Sequence, residues 1–293
     1  VMNRKLQAVL AAMVILAGAF PASAKTAVFV SVLPQKFFAE QVGGERVEVS
    51  VLVEKNRDPH TFEPLPAQMA ALSRADGYLS IGLPFEESLL PRVRQLNPSL
   101  RIFPADRGIE RIRGKDEEHH GHNEHGHAHD HGGSDPHVWN GIREARTIAE
   151  NTFAALAELD PEGTEDYRRN LAAFRQRLDT LDAEFRELFR GREGAAFLVF
   201  HPAWGYLARE YGLEEVAIEV DGKEPKASDM AAVITEAKRR GVKVVFVSPQ
   251  FSGRSAEIIA RSIGAAVEAV NPLSEEWEEN LRTVARAIAE AAR

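Results

Sequence analysis

The chain of 293 residues contains no cysteine. Structural disulfides, thiolate metal sites and cysteine nucleophiles are excluded together. Positive charge is in deficit: Lys and Arg total 36 against 44 Asp and Glu, a formal net charge of −8, which speaks against a nucleic-acid partner. The sequence also lacks HExxH and GxSxG, and no paired general base is evident, so a hydrolase is disfavoured. The one conspicuous apolar run, Leu6 to Phe20, is too short to cross a bilayer comfortably.

That run follows a short basic stretch, Met2-Asn3-Arg4-Lys5, and precedes Ala22-Ser23-Ala24, a small-x-small cleavage pattern. Residues 1–24 are therefore expected to be a cleavable signal peptide, with export to the periplasm and a mature protein starting at Lys25. No cysteine follows the apolar stretch, so a lipoprotein anchor is not expected there. The full chain of 293 residues is 44% apolar, enough for two modest cores.

Histidine is what the chain has in unusual places. Seven of the thirteen residues from 119 to 131 are histidine: His119, His120, His122, His125, His127, His129 and His131. The surrounding stretch is Gly-rich, polar and without apolar periodicity, so it reads as a solvated loop, roughly 115–134, that offers many weak imidazole ligands. The other three histidines are isolated. Asp-Pro-His occurs at 58–60 and again at 135–137, and His201 follows an apolar, strand-like run. Three imidazoles from three loops match the ligand count of a zinc site with one further position open or otherwise filled. Imidazole nitrogen favours the later first-row metals, whereas carboxylate favours manganese. Affinity should fall below about pH 6.5, where imidazoles take up protons.

The pattern of elements is α/β. Residues 27–33, 46–53, 77–81 and 100–103 read as strands alternating with helices at 34–42, about 67–75 and about 85–95. Strands at 195–200, 214–220, 242–247 and 266–270 alternate with helices at 203–211, about 228–240 (capped by Ser228), 253–263 and 274–292. Between the two sets lie a helix at 142–159 and, after Asp160-Pro161, a longer one from Glu162 to Phe189. Its apolar residues Tyr167, Leu171, Phe174, Leu178, Leu181, Phe185 and Leu188 recur at alternating steps of 4 and 3, one continuous stripe on a helix about 42 Å long. The expected division is an N-terminal lobe at 25–140, a helical linker at 141–191 and a C-terminal lobe at 192–293. His60 and His201 then sit just beyond strand ends, where parallel sheets bind ligands.

The motifs DPHTFEP (58–64), DPHVWN (135–140) and FHPAWGYLAREYGL (200–213), with the weaker VVFVSPQFS (244–252) and NPL (271–273), resemble the metal substrate-binding proteins of ABC importers, the ZnuA/TroA-like cluster. The resemblance covers essentially the whole mature chain. It implies two α/β lobes joined by one long rigid helix, a metal in the cleft, His60, His137 and His201 as ligands, and a membrane permease as partner. It also implies an extracytoplasmic zinc carrier that is not an enzyme, a monomer, and a His-rich loop of the kind zinc-handling members carry. A manganese- or iron-type member, a periplasmic zinc buffer or adhesin and, last, a zinc hydrolase are the alternatives. The chain departs from the pattern at Asn271, where many members place a carboxylate ligand, and at Ser248, where relatives often have Glu. A water, Glu63, Glu219 or Asp221 could fill the fourth position instead.

Overall fold

A computed structural model describes residues 24–113, 134–219, 223–251 and 253–291. The signal-peptide expectation, apart from Ala24, the histidines of 119–131 and Asp221 fall outside these described residues. Among the described residues, no helix is long and apolar enough to cross a membrane.

The first sheet contains β1 (Thr26–Val32), β2 (Val47–Val53), β3 (Gly77–Ser80) and β4 (Arg101–Pro104), all parallel, in the order β2-β1-β3-β4. The second contains β5 (Ala196–Val199), β6 (Glu214–Ala217), β7 (Val244–Val247) and β8 (Ala266–Ala269), also parallel, in the order β6-β5-β7-β8. The two lobes thus repeat one topology, each with its chain reversing direction across the sheet between its two central strands. β1 is apolar apart from Thr26 and Ser31 and is buried on both faces, as a central parallel strand covered by helices must be. β2 is an edge strand: only Glu48 is exposed, while Val49, Ser50 and Val51 are half-buried.

Helices α1 (Leu33–Gly43), α2 (Pro66–Leu72) and α3 (Pro84–Leu96) cover the first lobe. Each begins with a proline in its first turn, where the missing N–H costs nothing. In the second lobe α6 (Gly205–Tyr211), α7 (Ala227–Arg239), α8 (Arg254–Ile263) and α9 (Trp277–Ala291) play that part. Ser228 does not cap α7. The helix starts one residue earlier, and the Asp229 carboxylate accepts the Lys226 N–H at 3.0 Å instead.

Between the lobes run α4 (Ile142–Leu159) and α5 (Thr164–Leu188). The 25 residues of α5 extend about 38 Å, less than the sequence suggested. Pro161–Gly163 form a separate 3-10 turn, with the Asp160 carboxylate accepting from Gly163 N–H at 3.2 Å and from the Tyr167 hydroxyl at 2.7 Å. The apolar stripe is buried from Tyr167 to Phe185 within this one chain. Phe174 meets Phe37 and Phe38 of α1 with ring centroids 5.8 and 6.0 Å apart, and Phe185 meets Tyr211 of α6 at 5.7 Å. One helix therefore packs on both lobes, and a single apolar core runs through it from the first sheet to the second.

Two tryptophans stitch the junction. Trp139 donates its indole N–H to the Pro272 carbonyl at 2.7 Å, and Trp277 donates to the Trp139 carbonyl at 2.7 Å. Both are fully buried, so each N–H requires its acceptor.

Candidate metal centre

Both Asp-Pro-His motifs fold into the same local device. Asp58 Oδ1 accepts the His60 N–H at 2.9 Å, and Asp135 Oδ1 accepts the His137 N–H at 2.9 Å. The carboxylate closes a turn around the proline, which fixes φ and has no N–H of its own. The turn then presents the histidine side chain at a set angle. Thr61 ties the first turn further, its hydroxyl donating to Asp58 Oδ2 at 3.1 Å. The first turn follows β2; Phe62 beyond it packs edge-to-face on Phe85 at 5.1 Å.

The second turn precedes α4 and is held by the second lobe. Tyr206 donates its hydroxyl to the Asp135 carbonyl at 2.7 Å, and Asn140 Nδ2 donates to the Ala203 carbonyl at 2.8 Å. His201 follows β5 directly, its ring stacked on Phe251 at 4.5 Å. Nothing in the spacing of His60, His137 and His201 in sequence forces them together; the two sheets and the junction do.

The three rings converge. His137 Nε2 lies 3.3 Å from His60 Nε2 and 3.2 Å from His201 Nε2. His137 and His201 are buried, at 4% and 8% exposure, and His60 stands at the open rim. Among the described residues these three are the group of His, Asp or Glu whose ligand atoms all lie within 4.8 Å of one another.

The opposite ring nitrogens decide what the convergence means. His137 Nδ1 is 2.8 Å from Asp135 Oδ1, and His201 Nδ1 is 2.8 Å from Glu219 Oε1. An ionised carboxylate can only accept, so each Nδ1 carries a proton, and in the neutral ring each Nε2 is then a bare lone pair. Burial pushes the Asp135 carboxyl up, but its hydrogen bonds to the His137 ring and backbone outweigh this and hold it below the usual range. Two bare nitrogens 3.2 Å apart repel unless a cation lies between them. Tetrahedral zinc with Zn–N near 2.05 Å sets its ligand nitrogens about 3.3 Å apart. The donor set is of the size zinc requires.

The candidates for the fourth position are placed differently. Glu219 stands behind His201, not beside its Nε2. Glu63 is exposed and outside the cluster. Asn271 Oδ1 accepts from Gln250 Nε2 at 2.8 Å and from the Leu273 N–H at 3.1 Å. Its oxygen is committed to these partners. The small cavity against the three imidazoles is walled by Pro59, Gln250, Phe251, Pro272 and Leu273. Asp135 and Glu219 were the residues the sequence reading missed in these roles. Asp135 could have been found from the repeated Asp-Pro-His; Glu219, 18 residues from His201, carries no sequence signal.

Two like-built parallel lobes packed on one long helix, with three imidazoles meeting at their junction, define a substrate-binding protein of the metal-importing kind. A family model described as zinc-uptake complex component A, periplasmic, matches residues 28–291, and the chain belongs to this ZnuA family. It is 32% identical over 244 residues to the high-affinity zinc uptake system protein ZnuA of Bacillus subtilis (strain 168), covering 82% of this chain and 76% of that one. A crystal structure of ZnuA superimposes with a TM-score of 0.83 at 38% identity, covering 92% of this chain and 100% of the other. A ZnuA deletion mutant with zinc bound gives 0.81 at 39%, covering 91% and 98%.

Proposed function

We propose that the mature protein is a periplasmic carrier that binds one Zn2+ tightly through His60, His137 and His201 and delivers it to the permease of an ABC importer. The observation that carries this reading is the pair of Nε2 separations, 3.3 and 3.2 Å, between imidazoles whose outer nitrogens are tied to carboxylates. Three neutral imidazoles alone leave the charge of the ion uncompensated. Asp135 and Glu219 supply two negative charges one ring away, matching it without becoming ligands. The family is one of zinc-uptake components, and binding without catalysis goes with it. Removal of residues 1–24 on export, a monomeric state, and loose additional binding by the histidines of 119–131 complete the reading.

The test is titration of zinc into the metal-free mature protein against a competing chelator, with manganese in parallel. One tight zinc, weaker sites behind it and little response to manganese are expected. Equal or better manganese binding would overturn the zinc assignment and require a carboxylate among the ligands.

A further inference from the structure

Gln250 lines the cavity onto which His60, His137 and His201 open. Its Oε1 is buried and has no hydrogen-bond partner among the described residues. The identity of that atom follows from its neighbours. The Leu273 main-chain N–H can only donate, so the Asn271 atom it meets is the carbonyl oxygen. The Gln250 atom that also meets this oxygen, at 2.8 Å, must then be the amide NH2. The unpartnered atom is thereby the acceptor oxygen. Asn271 is itself fixed, its main-chain carbonyl accepting from Asn280 Nδ2 at 2.8 Å.

A buried acceptor left without a donor costs about 1–3 kcal/mol, and native proteins seldom leave one so without a use for it. The strongest donor such a cavity can receive is a water on a divalent cation, whose O–H bonds the charge polarises. Three imidazoles occupy three vertices of a tetrahedron and leave the fourth for that water.

We infer that Gln250 serves the fourth position of the site, its Oε1 accepting a hydrogen bond from a zinc-bound water, and that Asn271 is the positioning residue that aims it. The inference rests on the three-histidine reading proposed above. It also accounts for an asparagine where a carboxylate ligand would be expected: the side chain at 271 acts on the ion through Gln250 and needs an acceptor oxygen, not a charge.

The experiment uses the full mature protein and the variants Gln250→Leu, Gln250→Met, Asn271→Asp and His201→Ala, read in two ways. Zinc affinity is measured by chelator competition, and Co2+ alone is used as a probe whose visible ligand-field bands report the inner coordination sphere. Gln250→Leu and Gln250→Met should still bind one ion but with affinity lowered about 10- to 100-fold, the range for losing an outer-shell partner, and with shifted Co2+ bands. Asn271→Asp, which keeps the acceptor oxygen, should lose less affinity than either Gln250 variant. Thermal unfolding of the metal-free variants checks that each is folded, and the near-isosteric methionine serves if leucine is not. Parent-like affinity and an unchanged Co2+ spectrum in both Gln250 variants would overturn the inference. If His201→Ala also bound zinc as tightly as the parent, the three-histidine reading itself would fall, a result distinct from the first.

Discussion

His201 Nδ1 and the carboxylate of Glu219 lie 2.8 Å apart, both side chains buried, in an arrangement that leaves the opposite ring nitrogen free to face the cleft. Replacing the acid by its amide tests how much of the site depends on this. Glu219→Gln removes one negative charge and can offer Nδ1 an NH2 group instead of an acceptor. Zinc affinity should fall about 10- to 100-fold, and Asp135→Asn should behave alike. Chelator competition on the two variants measures this; parent-like values in both would mean that the carboxylates do not tune the imidazoles.

The ring nitrogens themselves should matter far more. His60→Ala, His137→Ala and His201→Ala are each expected to abolish the tight site, leaving two imidazoles where three converge. Deleting 119–131 should lower the number of zinc ions bound and spare the tight one. Calorimetric titration of the four proteins separates the two effects.

Glu86 provides a pH signature away from the ligands. Its buried carboxylate accepts from the N–H groups of Ile81 and Gly82, at 3.0 and 2.7 Å, and from the Tyr78 hydroxyl at 3.2 Å, with the Ser31 hydroxyl also donating. Burial pushes its carboxyl above the usual value, against the pull of those hydrogen bonds. The folded protein therefore keeps this proton at pH values where the unfolded chain has lost it. The contribution is present below about pH 4.5 and is lost as pH rises through the elevated folded value. Glu86→Gln should flatten that part of the curve of unfolding free energy against pH, measured by denaturant titration. An unaltered slope would show that Glu86 is not its source.

The same cluster fixes the segment Ile81–Phe85, and Phe85 abuts Phe62 of the loop that carries His60. Phe85→Ala empties a buried position and should cost about 3–5 kcal/mol of stability. Because it also frees the His60 loop, zinc affinity should drop in the variant under conditions where calorimetry shows it folded.

Much of this was legible in the chain. Short runs punctuated by Gly or Pro marked the eight strands, apolar in most and mixed with Glu in β6 and β8, and the 4-and-3 stripe from Tyr167 to Leu188 marked the long helix. The isolated histidines, two in a repeated motif, are the three that the structure brings together. What the sequence hid was tertiary. Glu219 reaches His201 because β6 lies beside β5, and a pairing across strands leaves no local signal. Gln250 and Asn271 form an amide pair 21 residues apart whose orientation is set by one backbone N–H. At α7 the Asp229 carboxylate reaches back to the N–H of Lys226, the residue before the helix, and this places Ser228 inside the first turn instead of at the cap.

The segment carrying His137 is fastened to Ala203, Tyr206 and Pro272, the neighbours of His201, whereas His60 stands on a loop of the first sheet. A separation of the two lobes would leave His137 and His201 together and withdraw only His60. For the carrier proposed above, unloading the ion would then be a stepwise fall in denticity, from three protein nitrogens to two, with the vacated vertex opening toward the rim. Each arm of the chelate could be exchanged in turn for a donor on the receiving protein, so that a tightly held cation need never pass through a bare, hydrated state on its way out.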